Sequence, residues 1–175
     1  IRAGVKSIEH GQLIDEPTMK LIAEKGVWLS MQPFIGEGNN HYTNPVQQAK
    51  HELVVQGTDR AYQLAKKYGV KLAWGTDLLF SPANARNQNL NIEKMTRWFS
   101  NFEILKMITH DNAELLALSG RRNPYPGKLG VIEEGALADL IVVDGNALED
   151  IKVLTDPGKN MLLIMKDGKI YKNDL

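Results

Sequence analysis

The chain has no cysteine. Disulfides and thiolate-bound metals are therefore excluded, and the redox compartment is left open. It also lacks a long apolar run: the longest are about five residues, such as Met161–Met165, against the roughly 20 that a membrane-spanning helix requires. Neither sign of charge is in excess, with 21 Lys plus Arg against 21 Asp plus Glu. That balance gives no electrostatic reason to expect nucleic acid or an anionic membrane as partner. Histidine is scarce, at four residues, and no His-x-His string occurs. Gly127-Lys128 is not part of a phosphate loop, because the Gly-x-x-x-x-Gly-Lys-Ser/Thr spacing is missing. The first residue is Ile1, in the run-up to a strand, so the chain is expected to start inside a longer protein.

What is present is an ordinary globular composition, 43% apolar and 24% charged over 175 residues, enough for one real core. Val5–His10 reads as a strand. Asp15 then suits an N-cap, Pro17 the first helical turn and Gly26 the stop. Val27–Phe34 is a second strand and Gly36–Asn44 a polar loop. Asn44-Pro45 opens a long helix with Val46, Ala49, Leu53, Ala61, Leu64 and Tyr68 at helical spacing, and Gly69 ends it. Gly57 inside that helix is unfavourable by about 1 kcal/mol relative to alanine. Val70–Trp74 is a third strand, and Asp77–Asn91 is expected to be a long polar loop of the kind that covers substrates. Helices are expected at Ile92–Asn101 and Phe102–Ser119, with a restart at Asp111, whose spacing to Glu114 fits a capping box.

From Arg121 the texture changes. Asn123–Gly127 reads as a rigid linker. Four short β-like runs follow, at Leu129–Ile132, Leu137–Val143, Met161–Lys166 and Lys169–Lys172, with Asp167-Gly168 as a hairpin turn. The chain is thus an α/β run over 1–120 and a β tail over 121–175.

Two strings carry the chemistry: Ser7-Ile8-Glu9-His10-Gly11 and Ala73-Trp74-Gly75-Thr76-Asp77. Each is a short strand-like run that delivers a metal-capable side chain before the chain turns toward a helix. Parallel βα units gather such residues at the carboxyl end of the sheet, where active sites lie. Taken singly, a histidine ending a strand is more often structural, and an aspartate there is more often a turn or cap residue. The pair, at equivalent strand ends, points to a metal-dependent hydrolase.

Together with Thr109–Leu116 and the tail Gly130-Val131-Ile132-Glu133-Glu134-Gly135-Ala136-Leu137-Ala138-Asp139, continued by Leu140–Asp144, these strings resemble the amidohydrolase superfamily. Its imidazolonepropionase-like and Xaa-Pro dipeptidase-like members are the nearest in pattern. The tail is the most specific piece: a Gly-x-Ile, paired acids closed by a glycine, then Ala-Asp and an apolar strand. The resemblance implies the C-terminal part of a TIM (β/α)8 barrel, about strands six to eight, followed by part of a small β-sandwich. It implies that His10 ends the sixth strand and Asp77 the eighth, that each binds one of two zinc ions, and that Asp77 is also the general base. Neutral imidazole suits zinc, and paired metals about 3.5–4 Å apart can generate a nucleophilic water at neutral pH. The family's other ligands, a first-strand His-x-His, a fourth-strand lysine and a fifth-strand histidine, are not in this chain.

The expected reaction is cleavage of a C–N bond, in an amide or dipeptide-like substrate, by metal-activated water. Thr76 and Gly75 would shape the eighth strand's end. His41 and Arg86 are candidate substrate contacts, Arg86 as a bidentate partner of a carboxylate. His51 and His110, in helical contexts, read as structural, and Trp28, Trp74 and Trp98 as packing residues. Alternatives are a catalytically silent binding or assembly domain, a one-metal deaminase of the same superfamily, or a flavodoxin-like domain, which leaves the β tail without a place. Three barrel strands cannot close a cylinder, so the chain is expected to associate, with another copy or with its missing N-terminal part.

Overall fold

The computed structural model describes residues 1–36, 42–78 and 82–175. The chain forms two compact units, residues 1–75 and 76–175. This is a division by spatial contact; the expected boundary at 120/121 is one of sequence texture.

The first unit contains three parallel strands, β1 (Ser7–Glu9), β2 (Trp28–Met31) and β3 (Lys71–Trp74), in that spatial order. Helices α1 (Glu16–Glu24) and α2 (Pro45–Tyr68) are the crossovers. The capping signals hold. Asp15 accepts from Thr18 N at 2.9 Å, and hydrogen bonding from the Thr18 side chain, then from its backbone N–H, lowers the Asp15 carboxyl pKa. Asn44 caps α2, and Gly69 ends it in the left-handed region (φ 62°) that glycine tolerates. The strands are shorter than their sequence signals. Central β2 is buried along its whole length, as expected for a parallel strand covered on both faces. Met19 and Ile22 of α1, Leu29 and Met31 of β2, and Ala61, Tyr62 and Ala65 of α2 are fully buried. Burial raises the Tyr62 hydroxyl pKa.

Two expectations about α2 change. Val46 and Leu53, assigned to its apolar face, are 63% and 57% exposed. The buried stripe is Thr58, Ala61, Tyr62 and Ala65. Gly57 has a packing reason: a Cβ there would stand 2.4 Å from the Gln12 carbonyl oxygen. The glycine lets the helix backbone press on the loop after β1.

The second unit begins at Thr76. The expected 77–91 loop contains a short helix, α3 (Pro82–Arg86), and α4 follows at Leu90–Lys94. Pro82 at the first position of α3 suits a helix start, while Asn89 at the N-cap of α4 makes no side-chain capping bond. The expected 92–101 helix stops at a turn over Met95–Arg97, and a new helix α5 (Asn101–Lys106) starts at Ser100. The capping box is Ser100–Glu103, with both reciprocal bonds made. Asp111 caps nothing, because a π-helical turn (Met107–Asp111) carries the chain straight into α6 (Asn112–Ala117).

In the tail, β4 (Leu140–Val143), β5 (Met161–Lys166) and β6 (Lys169–Asn173) form an antiparallel sheet in that order. Leu129–Ile132 is not a strand; that region holds an isolated bridge between Lys128 and Ala136. Gly130 (φ 72°) explains the break, since its Cβ position lies 2.6 Å from the Thr109 carbonyl oxygen. The segment is shaped to seat on the π-turn rather than to pair.

Candidate functional site

Parallel register brings the strand ends of the first unit side by side. Glu9 is paired with Ser30, and Met31 with Trp74. The next residue after β1 is His10, the next after β2 is Gln32, and Asp77 comes three residues after β3. His10 is tied to the ladder by its backbone N–H, which donates to Ser30 O at 2.8 Å.

His10 and Asp77 share an uncommon backbone. Among the described residues, three that are not glycine have positive φ: His10 (70°), Asp77 (53°) and Asp167 (49°). Asp167 lies in the expected hairpin turn. A histidine or aspartate held left-handed at a strand end is the kind of strain that collects at functional sites. Gly11 (φ 80°) extends the tight exit after His10, and a Cβ there would lie 2.5 Å from Leu29 Cδ1. Both His10 and Asp77 are exposed.

The His10 ring is oriented from behind. Its Nδ1 donates to Gln32 Oε1 at 3.0 Å, and Gln12 Nε2 donates to the same oxygen at 3.1 Å. Gln12 and Gln32 are each only 6% exposed. Two donors on one amide oxygen fix the Gln32 amide and place the His10 proton on Nδ1. Nε2 is then the basic nitrogen, the arrangement that orients a metal-ligating histidine. An imidazole held this way is of the kind that ligates zinc-class ions. Gln12 and Gln32 escaped the reading of the sequence. The available signal was an amide side chain immediately after the apolar run Trp28–Met31, at the same strand end as His10.

The other singled-out residues are distributed as follows. Gly75 and Thr76 link β3 to Asp77, and Gly75 N–H donates to Met31 O at 3.4 Å. Arg86 is the exposed last residue of α3. His41 lies outside the described residues. His51 lies in α2 as expected and lines a groove with His10, its ring 5.5 Å from that of Tyr42. His110 sits on the π-turn with Nδ1 2.8 Å from Asp111 Oδ1, a carboxylate that also binds Lys106. Trp28 is buried, as its packing role requires. Among the described residues, no three of His, Cys, Asp or Glu form a metal-holding cluster, and no helix is long and apolar enough to cross a membrane.

A model of the amidohydrolase family matches residues 1–171. Ochratoxinase from Aspergillus niger is 33% identical over 98% of this chain and 35% of its own length. The chain thus spans about a third of the length of that curated relative. A solved amidohydrolase superposes with a TM-score of 0.83 at 34% identity, covering 99% of this chain and 41% of that one. A prolidase complexed with N-methylphosphonate-L-proline gives 0.82 at 32% identity, covering 98% and 41%. The α/β architecture is therefore that of part of an amidohydrolase, a TIM-barrel family whose members are generally metal-dependent. With the family pattern running over nearly its whole length, the chain belongs to the amidohydrolase family.

Proposed function

We propose that this chain is the C-terminal portion of a metal-dependent hydrolase that cleaves the C–N bond of an amide or dipeptide-like substrate. The observation that carries the reading is the shared left-handed backbone of His10 and Asp77 after parallel strands of one sheet. In this reading β1, β2 and β3 are barrel strands six to eight, residues 1–120 belong to the barrel, and 121–175 are strands of the small sandwich. As edge strands, β1 and β3 offer ladder positions to the remaining barrel strands. The association expected for the chain is with those strands or with a second copy.

His10 would hold one zinc-class ion through Nε2 and Asp77 the other. When bound, the pair supplies Lewis-acid polarisation and an acidified water. Asp77 takes the proton of the attacking water and passes it to the leaving nitrogen. Gln32 and Gln12 keep the His10 ring in its ligating tautomer, while Gly75 and Thr76 set the turn that presents Asp77. The remaining ligands lie on strands outside this chain, which alone would be inactive. Arg86 and His41 are assigned to substrate contact. The names of the relatives support the substrate class: one is a prolidase complexed with N-methylphosphonate-L-proline, and another is an ochratoxinase.

The test uses the full-length, metal-loaded protein and a panel of N-acyl amino acids. Asp77→Asn should lower turnover about 10³-fold, the range of a lost general base, with an unchanged circular dichroism spectrum. Turnover of the variant within about tenfold of the natural protein would remove Asp77 from the chemistry.

A further inference from the structure

Asn89 stands at the N-cap of α4, where an asparagine ordinarily bonds its own helix, yet it makes no side-chain capping bond. Its Nδ2 instead donates to Leu154 O at 2.8 Å, 65 residues along the chain. Leu154 is the last residue of a short helical turn, Ile151–Leu154. The final carbonyls of such a turn have no partner within it and accept from outside. The asparagine makes a long-range bond where a local one was open to it.

This bond belongs to a longer seam. The turn packs against α4, and Ile92 of α4 is buried, as are Ile151 and Leu154 of the turn. Asn101, the first residue of α5, donates through Nδ2 to Leu148 O at 3.1 Å. Two amides thus fasten the tail segment 148–154 at its two ends. Between them Lys152 Nζ lies 3.1 Å from Glu93 Oε1, but both groups are well exposed, so that pair adds little.

The residues just before Asn89 give the seam a use. From Pro82 to Leu90 no residue is buried. The stretch includes α3, which ends at Arg86. Within it, the N–H groups of Asn87, Gln88 and Leu90 donate to Asn84, Ala85 and Asn87 O, all local bonds. A five-residue helix with no buried face gains little rigidity from its own turns. Asn89, three residues after Arg86, ties that stretch to a buried part of the tail.

We propose that Asn89 is a positioning residue: by holding Leu154 O it anchors α3 and thereby sets Arg86 for the substrate carboxylate. The tail would then take part in substrate recognition without touching substrate. The role in recognition rests on the hydrolase reading; the anchoring itself does not.

Hydrogen exchange and steady-state kinetics on the full-length, metal-loaded protein test the two parts separately. Asn89→Ala should speed amide exchange over residues 82–90 at least about fivefold, the scale of one lost hydrogen bond, and leave residues 101–106 unchanged. With an N-acyl amino acid as substrate it should raise KM about fivefold and keep kcat within about twofold. Asn89→Asp, of the same shape but without the donor, should do the same. In an Arg86→Ala background, Asn89→Ala should move KM by less than about twofold, because its effect passes through Arg86. Asn101→Ala, which cuts the other end of the seam, should leave KM within about twofold. The proposal is overturned if exchange over 82–90 is unchanged in Asn89→Ala, or if the active variant keeps the natural KM. It is equally overturned if the KM effect persists in full without Arg86, or if Asn101→Ala raises KM as much. Faster exchange in Asn89→Ala, in a protein that hydrolyses no N-acyl amino acid, would uphold the anchor and sink the hydrolase reading alone.

Discussion

In the antiparallel sheet, the left-handed backbone at Asp167 (φ 49°) is followed at once by Gly168 (φ 72°), and the two close the β5–β6 hairpin. Directly after β1, His10 (φ 70°), and three residues after β3, Asp77 (φ 53°), hold similar dihedrals with no hairpin to close. Asp-Gly with two positive φ angles is what a tight hairpin turn demands, so the tail accounts for its own exception. The strand ends of the first sheet close no hairpin, and backbone strain of this kind is what collects at functional sites.

The same contrast separates the two kinds of family motif. The Ala138-Asp139 signature in the tail is a brace for the hairpin: Ala138 O accepts from Gly168 N at 3.1 Å, and Asp139 Oδ1 accepts from Asp167 N at 2.6 Å. Lys166 Nζ lies 3.5 Å from the other Asp139 oxygen. The Gly-x-Ile glycine seats the tail on the π-turn. The most specific motif in the sequence is thus architectural, while under the proposed function the less specific strings at the strand ends would carry the chemistry.

The largest effect that would break this comparison is expected at Gly130. Its φ of 72° and the 2.6 Å approach to Thr109 O leave no room for a side chain. Gly130→Ala should destabilise the protein by about 3 kcal/mol, the sum of left-handed strain and overpacking against backbone. Denaturant titration checks it. A loss below about 1 kcal/mol would show that the tail glycine is no seat at all.

A smaller and more selective effect is expected behind His10. Gln12 and Gln32 satisfy one another and the ring, so removing one alone strands a buried partner. The double variant Gln12→Leu/Gln32→Leu removes both. It should stay within about 1 kcal/mol of the natural stability while zinc affinity of the full-length protein falls roughly 10–100-fold, the usual loss when a ligand's supporting hydrogen bond goes. Unchanged zinc affinity would make the strand-end amides packing residues, and the two sheets would then differ less than argued.

The parts of the fold legible in the sequence are those fixed by a few neighbouring residues. Asp15 and Asn44 cap their helices, Gly69 ends α2, and Asp167-Gly168 turns the hairpin. Where two local signals compete, sequence cannot rank them. Ser100–Glu103 and Asp111–Glu114 have the same capping spacing, and the choice between them is made by the π-turn, which keeps the chain helical through Asp111. Leu129–Ile132 has β-like composition, but the contact between Gly130 and Thr109 is long-range and invisible locally. At the proposed site, His10 and Asp77 stand out in the sequence because metal-capable side chains after strand-like runs are few. Gln12 and Gln32 do not, because an amide announces nothing until its partners are known.

The smallest expected effect lies in the scaffold of the first unit, at a clamp between the first turn of α1 and the last turn of α2. Glu16 Oε1 accepts from Lys67 Nζ at 2.8 Å and also from the Tyr68 hydroxyl. The hydrogen bond from Lys67, then that from Tyr68, lowers the Glu16 pKa from 4.5 to about 2. A carboxyl depressed on folding contributes stability that is complete above its unfolded pKa and lost as pH falls through the folded one. The window is therefore pH 4.5 down to about 2. Both groups are well exposed, at 60% for Lys67 and 39% for Glu16, so salt screens the pair and the gain is small. Glu16→Gln should flatten the fall of melting temperature across that window at low ionic strength and leave zinc affinity alone, because the clamp touches neither His10 nor Asp77. An acid slope identical to that of the natural protein would mean that Glu16 gains nothing from Lys67 in solution, and the scaffold would then owe its acid sensitivity to Asp15, whose carboxyl is lowered by the Thr18 hydrogen bond.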